Sequence, residues 1–152
     1  MSKEEDIHEE STLEKEEMNP TIYYNALAGI TTHQTLKIEG HIKKTKVIVL
    51  IYLGSTVNFI HCKIAKELNC FVYPTPECQV IVGNGITINC SGKCHNIKLT
   101  MGEYVLNSPK LCIPMGGIDV VLGVQWLQSL RTITFNFEEC FLKFFEKERK
   151  LY

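Results

Sequence analysis

The stretch VIVLIYLGSTVNFI, running from Val47 to Ile60, decides how this chain is read. Val47, Ile48, Val49, Leu50 and Ile51 are consecutive aliphatics, the mark of a strand buried on both faces. They run into Gly54-Ser55-Thr56, and a second short apolar patch follows at Val57, Phe59 and Ile60. A buried strand that carries a small-residue polar loop into a protein's interior usually holds a reactive group there. The hinge of this one is Tyr52 and Leu53, neither of which is an obvious reagent.

Working outward, the periodicity is mostly that of strands. Leu36, Ile38 and Ile42 alternate with Lys37, Glu39, His41 and Lys43, which predicts a half-buried strand turning near Gly40. In residues 61–69, Ile64, Ala65 and Leu68 fall on one side of a short helix. Strands resume at Gln79–Val82, and Gly83-Asn84-Gly85 contains the strongest of hairpin dipeptides, Asn-Gly. Ile86, Ile88 and Cys90 alternate after it, as do Ile97, Leu99 and Met101, and a turn at Gly102 leads to Tyr104–Leu106. Asp119-Val120-Val121-Leu122-Gly123 is an apolar strand closed by glycine. Trp126, Leu127 and Leu130 follow at helical spacing, and Thr132–Phe137 and Phe141–Phe145 are aromatic-rich strands. The expected fold is all-β and mostly antiparallel, closed and barrel-like, with two short helices.

A length of 152 residues points to one domain, and 45% hydrophobic with 22% charged residues supplies a core. No apolar run approaches a membrane span, and Met1-Ser2-Lys3-Glu4-Glu5-Asp6 is the opposite of a secretory signal, so an intracellular, cytoplasmic protein is expected. The seven cysteines have no framework spacing and are expected to be reduced thiols. The net charge of −1 hides a split: residues 1–19 carry eight acids and two lysines, a balance of −6, and the remainder carries +5. The expected organisation is an acidic disordered tail over 1–19, a folded domain over 20–146 and a short C-terminal tail over 147–152. The +5 is scattered along the chain without a basic cluster interleaved with aromatics, which favours a solvated surface over nucleic-acid binding.

The order of the pieces, a buried strand entering a small-residue loop, a glycine-tipped hairpin, then a hydrophobic-hydrophobic-Gly strand before a short helix, resembles the retropepsin-like aspartic proteases. The resemblance is greatest to the protease domain of plant gypsy-class retrotransposon polyproteins and covers roughly residues 21–145. The family loop reads Leu-Ile-Asp-Ser-Gly-Ser-Thr-x-Asn-Phe-Ile. Leu50, Ile51, Gly54, Ser55, Thr56, Asn58, Phe59 and Ile60 match it in order. "KIAKELNC", "INCSGKCHNIKL" and "DVVLGVQWL" are similar to later family segments. The resemblance implies an endopeptidase fold that builds its site by homodimerising, takes a peptide or polyprotein segment in its groove and needs no cofactor or metal. It also implies a flap tip at Gly83, Asn84 and Gly85, and a structural glycine motif at Val121, Leu122 and Gly123. The small interchain sheet would be made around Thr21–Asn25 and Phe141–Phe145.

The departure falls at the catalytic position, where the family's aspartate aligns with Tyr52 and its following Ser or Thr with Leu53. Aspartic proteolysis needs two carboxylates that share one proton. A phenol, neutral at working pH, is a poor base for water. Leu53 also removes the hydroxyl that braces the two loops of the family's dimer. Two Tyr52 rings at that axis would overpack it by about 1–3 kcal/mol. The expected function is therefore a retrotransposon-derived aspartic-protease fold without catalysis, its degenerate loop being Tyr52, Leu53, Gly54, Ser55 and Thr56. The alternatives are an active aspartic endopeptidase using another acid, and a non-enzymatic dimerising or RNA-contacting module of a retroelement particle.

Other residues invite chemistry and have plainer readings. Asp119 lies in a segment whose family role is structural, so a turn-capping or surface place is expected. Cys90, Cys94 and His95 fit no standard zinc spacing, and no partner Cys or His pair accompanies them. Trp126, beside Leu127 and Leu130, is expected in the core. His41, His61 and the cysteines have no spacing that singles out a Cys–His nucleophilic pair.

Overall fold

The computed structural model describes residues 21–22, 35–76, 78–82, 85–130, 132–136, 138–139, 141–144 and 149–151. The predicted acidic tail, and Gly83 and Asn84 of the predicted flap tip, lie outside these residues.

The chain begins with a short strand, β1 (Thr21–Ile22), followed by the hairpin of β2 (Thr35–Ile42) and β3 (Thr45–Tyr52). Next come β4 (Phe59–His61), helix α1 (Cys62–Glu67), β5 (Val72–Tyr73), β6 (Gln79–Val82) and β7 (Thr87–Asn89). The middle of the chain holds β8 (Gly92–Cys94), β9 (Lys98–Met101), β10 (Tyr104–Asn107), β11 (Lys110–Ile113) and β12 (Val120–Leu122). Helix α2 (Val124–Leu127) runs into a 3-10 turn at Gln128–Leu130, and β13 (Ile133–Asn136), β14 (Phe141–Phe144) and β15 (Arg149–Leu151) finish the fold. β15 lies past residue 146, where the sequence reading ends the domain.

Nine strands form one curled half-barrel sheet in the order β10-β9-β2-β3-β12-β4-β11-β8-β5, flanked by three-stranded sheets β1-β6-β7 and β13-β14-β15. Parallel pairing among the described residues is confined to β1–β6, β3–β12 and β4–β11; the rest is antiparallel. The mostly antiparallel β fold with two short helices is as the sequence predicts. β1 is paired with Ile81 and Val82 of its own chain, so the strand expected in an interchain sheet is already hydrogen-bonded within one chain.

β12 lies between β3 and β4, and its Val120, Val121 and Leu122 are fully buried. A strand covered on both faces loses the polar alternation of a surface strand, which is why DVVLG stands out in the sequence. The two-residue period of β3 divides its side chains between two cores. Val47, Val49 and Ile51 face a large cluster with Leu36, Leu122 and Trp126. Leu50 and Tyr52 face a second, with Phe59, Val80, Ile113, Met115, Ile118 and Val121. In helix α1 the predicted face is the buried one, Ala65 fully and Ile64 and Leu68 in part.

The turn predicted near Gly40 is not there. β2 runs two residues further, and the chain reverses at Lys43 and Lys44, with φ of 49° and 69°. Two consecutive left-handed residues make a turn that Asn-Gly adopts cheaply, whereas an ordinary side chain there costs about 1–2 kcal/mol per residue. Gly40 serves packing instead. A Cβ there would lie 3.1 Å from each of Leu99 Cδ1, Val49 Cγ2 and Thr100 O, so glycine lets β9 close on β2.

The cysteines also depart from expectation. Cys78 and Cys90 form a disulfide, Cα–Cα 5.4 Å, across the base of the β6–β7 hairpin. Flanking residues of two paired strands are brought within disulfide reach by the hairpin itself, which a spacing of twelve residues does not reveal. Cys62, Cys70, Cys94 and Cys112 are free thiols.

Candidate functional site

The loop after β3 is held by backbone groups rather than by its exposed side chains. Ser55 N donates to Tyr52 O (3.3 Å), closing a tight turn, and Ser55 Oγ donates to Val57 O (3.0 Å). The carbonyls of Ser55 and Thr56 accept from Val124 N (2.7 Å) and Gln125 N (3.1 Å), the first amides of α2, whose N-cap is Gly123. An α-helix leaves its first amides without internal partners, and here the loop supplies them. Gly123 has an ordinary φ of −109°, so glycine is required for space alone. A Cβ there would collide with Ser55 O and lie 2.8 Å from Ser55 C and Val57 O.

Asn58 completes the frame. Its buried Oδ1 accepts from Gly123 N (2.9 Å), its Nδ2 donates to Ser108 Oγ (3.3 Å), and its carbonyl accepts from Leu111 N (3.0 Å). One amide side chain thus ties the loop to the end of β12 and to the start of β11. Ser108 is also the partner of Lys110, whose Nζ donates to Ser108 O (3.0 Å) and Ser108 Oγ (3.2 Å). Sequence periodicity passes over β11, because four residues headed by a lysine do not read as a buried strand. Yet Lys110 is 1% exposed.

Burial holds the Lys110 ammonium down to about 8, against the usual 10.5, with the thiols of Cys94 and Cys70 opposing the shift. Below pH 8 both folded and unfolded chains carry the proton, and the folded state bears the cost of a buried cation. Between about pH 8 and 10.5 the folded chain releases that proton first, so stability rises with pH across this window by about 3 kcal/mol. Lys110→Met is expected to flatten that rise. It should also raise stability at pH 7 by 1–2 kcal/mol, roughly the ionisation penalty less two hydrogen bonds. Denaturant melts of both proteins from pH 7 to pH 10.5 check this; parallel curves would refute it.

Tyr52 is 6% exposed and packed in the second core of its own chain. The sequence reading has two Tyr52 rings crowding a dimer axis. Within one chain the ring packs on the Leu50 face of β3, and the exposed side chains of the loop are Leu53, at 48%, and Thr56. No carboxylate stands in the loop. Asp119 is level with Ile48, whose N–H donates to Asp119 Oδ2 (2.7 Å), while Leu122 is level with Ile51. Asp119 therefore lies about 13 Å of strand from Tyr52 and fixes the far end of β12.

The other candidates are dispersed. Cys90 is in the disulfide, Cys94 Sγ lies 2.9 Å from Cys112 Sγ, and His95 stacks edge-on against Tyr73. The Cys94 thiol is lowered by the hydrogen bond from Cys112, which is itself raised by making it. No group of three or more His, Cys, Asp or Glu able to hold a metal is gathered among the described residues. His61 Nδ1 lies 3.9 Å from Cys62 Sγ but accepts from Lys63 N as the cap of α1. Trp126 is core, with Nε1 donating to Tyr104 OH (3.0 Å). Gly85 has φ of 88°, the left-handed geometry a hairpin turn needs, and β6 pairs antiparallel with β7. No helix among the described residues is long and apolar enough to cross a membrane.

A family model described as "Retroviral aspartyl protease" matches residues 29–143. Among solved structures, the chain is similar to the retroviral protease-like domain of Ddi1 from Leishmania major. That match has 13% identity and a TM-score of 0.59, covering 79% of this chain and 94% of that one. It is also similar to a retropepsin-like aspartic protease from Rickettsia conorii, with 11% identity and a TM-score of 0.47 over 67% of this chain and 76% of that one. No curated protein matches the sequence.

Proposed function

Since this chain belongs to the retroviral aspartyl protease family, we propose that it is a retrotransposon-derived member, of the plant gypsy class, that keeps the protease fold and has lost the protease chemistry. The observation that carries this reading is Tyr52. The resemblance aligns it with the family's aspartate, and its side chain is buried in a cluster with Leu50, Phe59 and Val121. Proton transfer to and from water contributes about 10²–10⁴-fold to a hydrolytic rate, and a buried phenol supplies none of it. The supporting scaffold, with Gly123 under Ser55 and Asn58 across both, is the part of the site that remains. What is left is a dimerising, peptide-binding module that meets its copy through the exposed Leu53 side of the loop.

The purified protein is expected to cleave nothing in a panel of unstructured peptides in mildly acidic buffer. Cleavage that a transition-state mimic of peptide hydrolysis blocks would overturn the proposal and favour an active endopeptidase with a different acid.

A further inference from the structure

All four non-glycine residues with positive φ among the described residues, Lys43, Lys44, Asn69 and Asn96, line one cavity of about 430 Å³. They come from three separate turns: the β2–β3 hairpin, the end of α1, and the β8–β9 connection. Backbone in sparsely populated conformations gathers where function requires it. At Lys43 and Lys44 two lysines hold a turn that Asn-Gly would form more easily. Lys98 adds a third ammonium, His95 lines the same cavity, and no carboxylate is among the described residues of its lining. Lys43 Nζ donates to Leu68 O (2.8 Å), which uses one of its three N–H donors and leaves two for a ligand.

Beside the cavity, Phe71, also in its lining, and Tyr73 are 67% and 48% exposed on the edge of the nine-stranded sheet. Phe71, Tyr73 and His95 form a row, with ring centroids 4.5 and 4.8 Å apart and edge-to-face contacts. Lys93 pairs with Tyr73 across β8 and β5. Large exposed rings next to lysine ammoniums are the parts with which proteins hold unstacked bases on a charged track. The turn is seven residues along β3 from Tyr52, about 23 Å, so the surface is separate from the loop.

We propose that this cavity and its aromatic rim bind single-stranded nucleic acid. Lys43, Lys44 and Lys98 take the phosphates, and Phe71 and Tyr73 stack the bases. The test is fluorescence anisotropy of a labelled ten-nucleotide uridine strand with the full chain. With three phosphates engaged, the slope of log K against log salt is expected near −2, about −0.7 per phosphate. A duplex, whose bases are already stacked, should bind more weakly than the single strand. Phe71→Ala should weaken binding by roughly five- to a hundredfold, the worth of one stacked base. Lys44→Gly should reduce the salt slope by about 0.7 and leave the melting temperature unchanged or higher, because glycine suits that φ, so loss of binding cannot be laid to loss of fold. No binding at low salt would overturn the proposal, as would binding indifferent to Phe71→Ala. So would a peptide of residues 1–19, whose balance is −6, binding where the oligonucleotide does not.

Discussion

Replacing Tyr52 by Asp and Leu53 by Ser together is expected to produce acid-dependent peptide cleavage, about 10²–10⁴-fold above the wild-type background. Tyr52→Asp places a carboxylate at the end of β3, at the position the resemblance assigns to the family's aspartate. In a dimer two such groups share one proton, so activity belongs in mildly acidic buffer and should grow with protein concentration. Leu53→Ser supplies the hydroxyl that the resemblance assigns to bracing the paired loops. Neither substitution alone should suffice, because an unbraced acid and a braced loop without one both leave the site incomplete. The effects should be strongly non-additive. Removing a buried ring costs a few kcal/mol, about 3–5 for aromatic-to-alanine changes, so the double variant must first be shown to be folded and dimeric. A folded dimer that cuts nothing would mean that the groove or hairpin has changed as well.

The second large effect is structural. Gly123→Ala is expected to destabilise the chain by at least about 4 kcal/mol, leaving no cooperative thermal transition or one lowered by about 10–15 °C or more. The added methyl collides with Ser55 O and crowds Val57 O, and both are backbone atoms that cannot swing aside. Moving them breaks the contacts made by Val124 N, Gln125 N and Ser55 Oγ, and pulls Asn58 from Gly123 N. Gly102→Ala is the control: φ there is 60° and nothing lies within 4 Å of a Cβ, so only a modest local strain follows. Similar melting temperatures for the two variants would refute this account of the loop.

Elements that the sequence makes legible are those whose burial pattern is extreme. β12 is covered on both faces, and β3 is too from Val49 onward although Ile48 is 37% exposed; both appear as unbroken aliphatic runs, and β6 and β14 are found at nearly their observed bounds. Gly40 misled because glycine serves turns and close packing alike, and only the contact with β9 distinguishes them. Lys110 is invisible as a core residue since its burial depends on Ser108 and Cys94, distant or unremarkable in sequence. The lysines and rings of the cavity are scattered over residues 43–98, and the fold alone assembles them.

The bond between Cys78 and Cys90 encloses β6, the turn and β7 in a covalent ring. A single nick by a contaminating protease between those cysteines would not release either piece. Such a molecule would gain only the one water that hydrolysis adds and would keep both flanks of the hairpin, and the two pieces would part only on reduction.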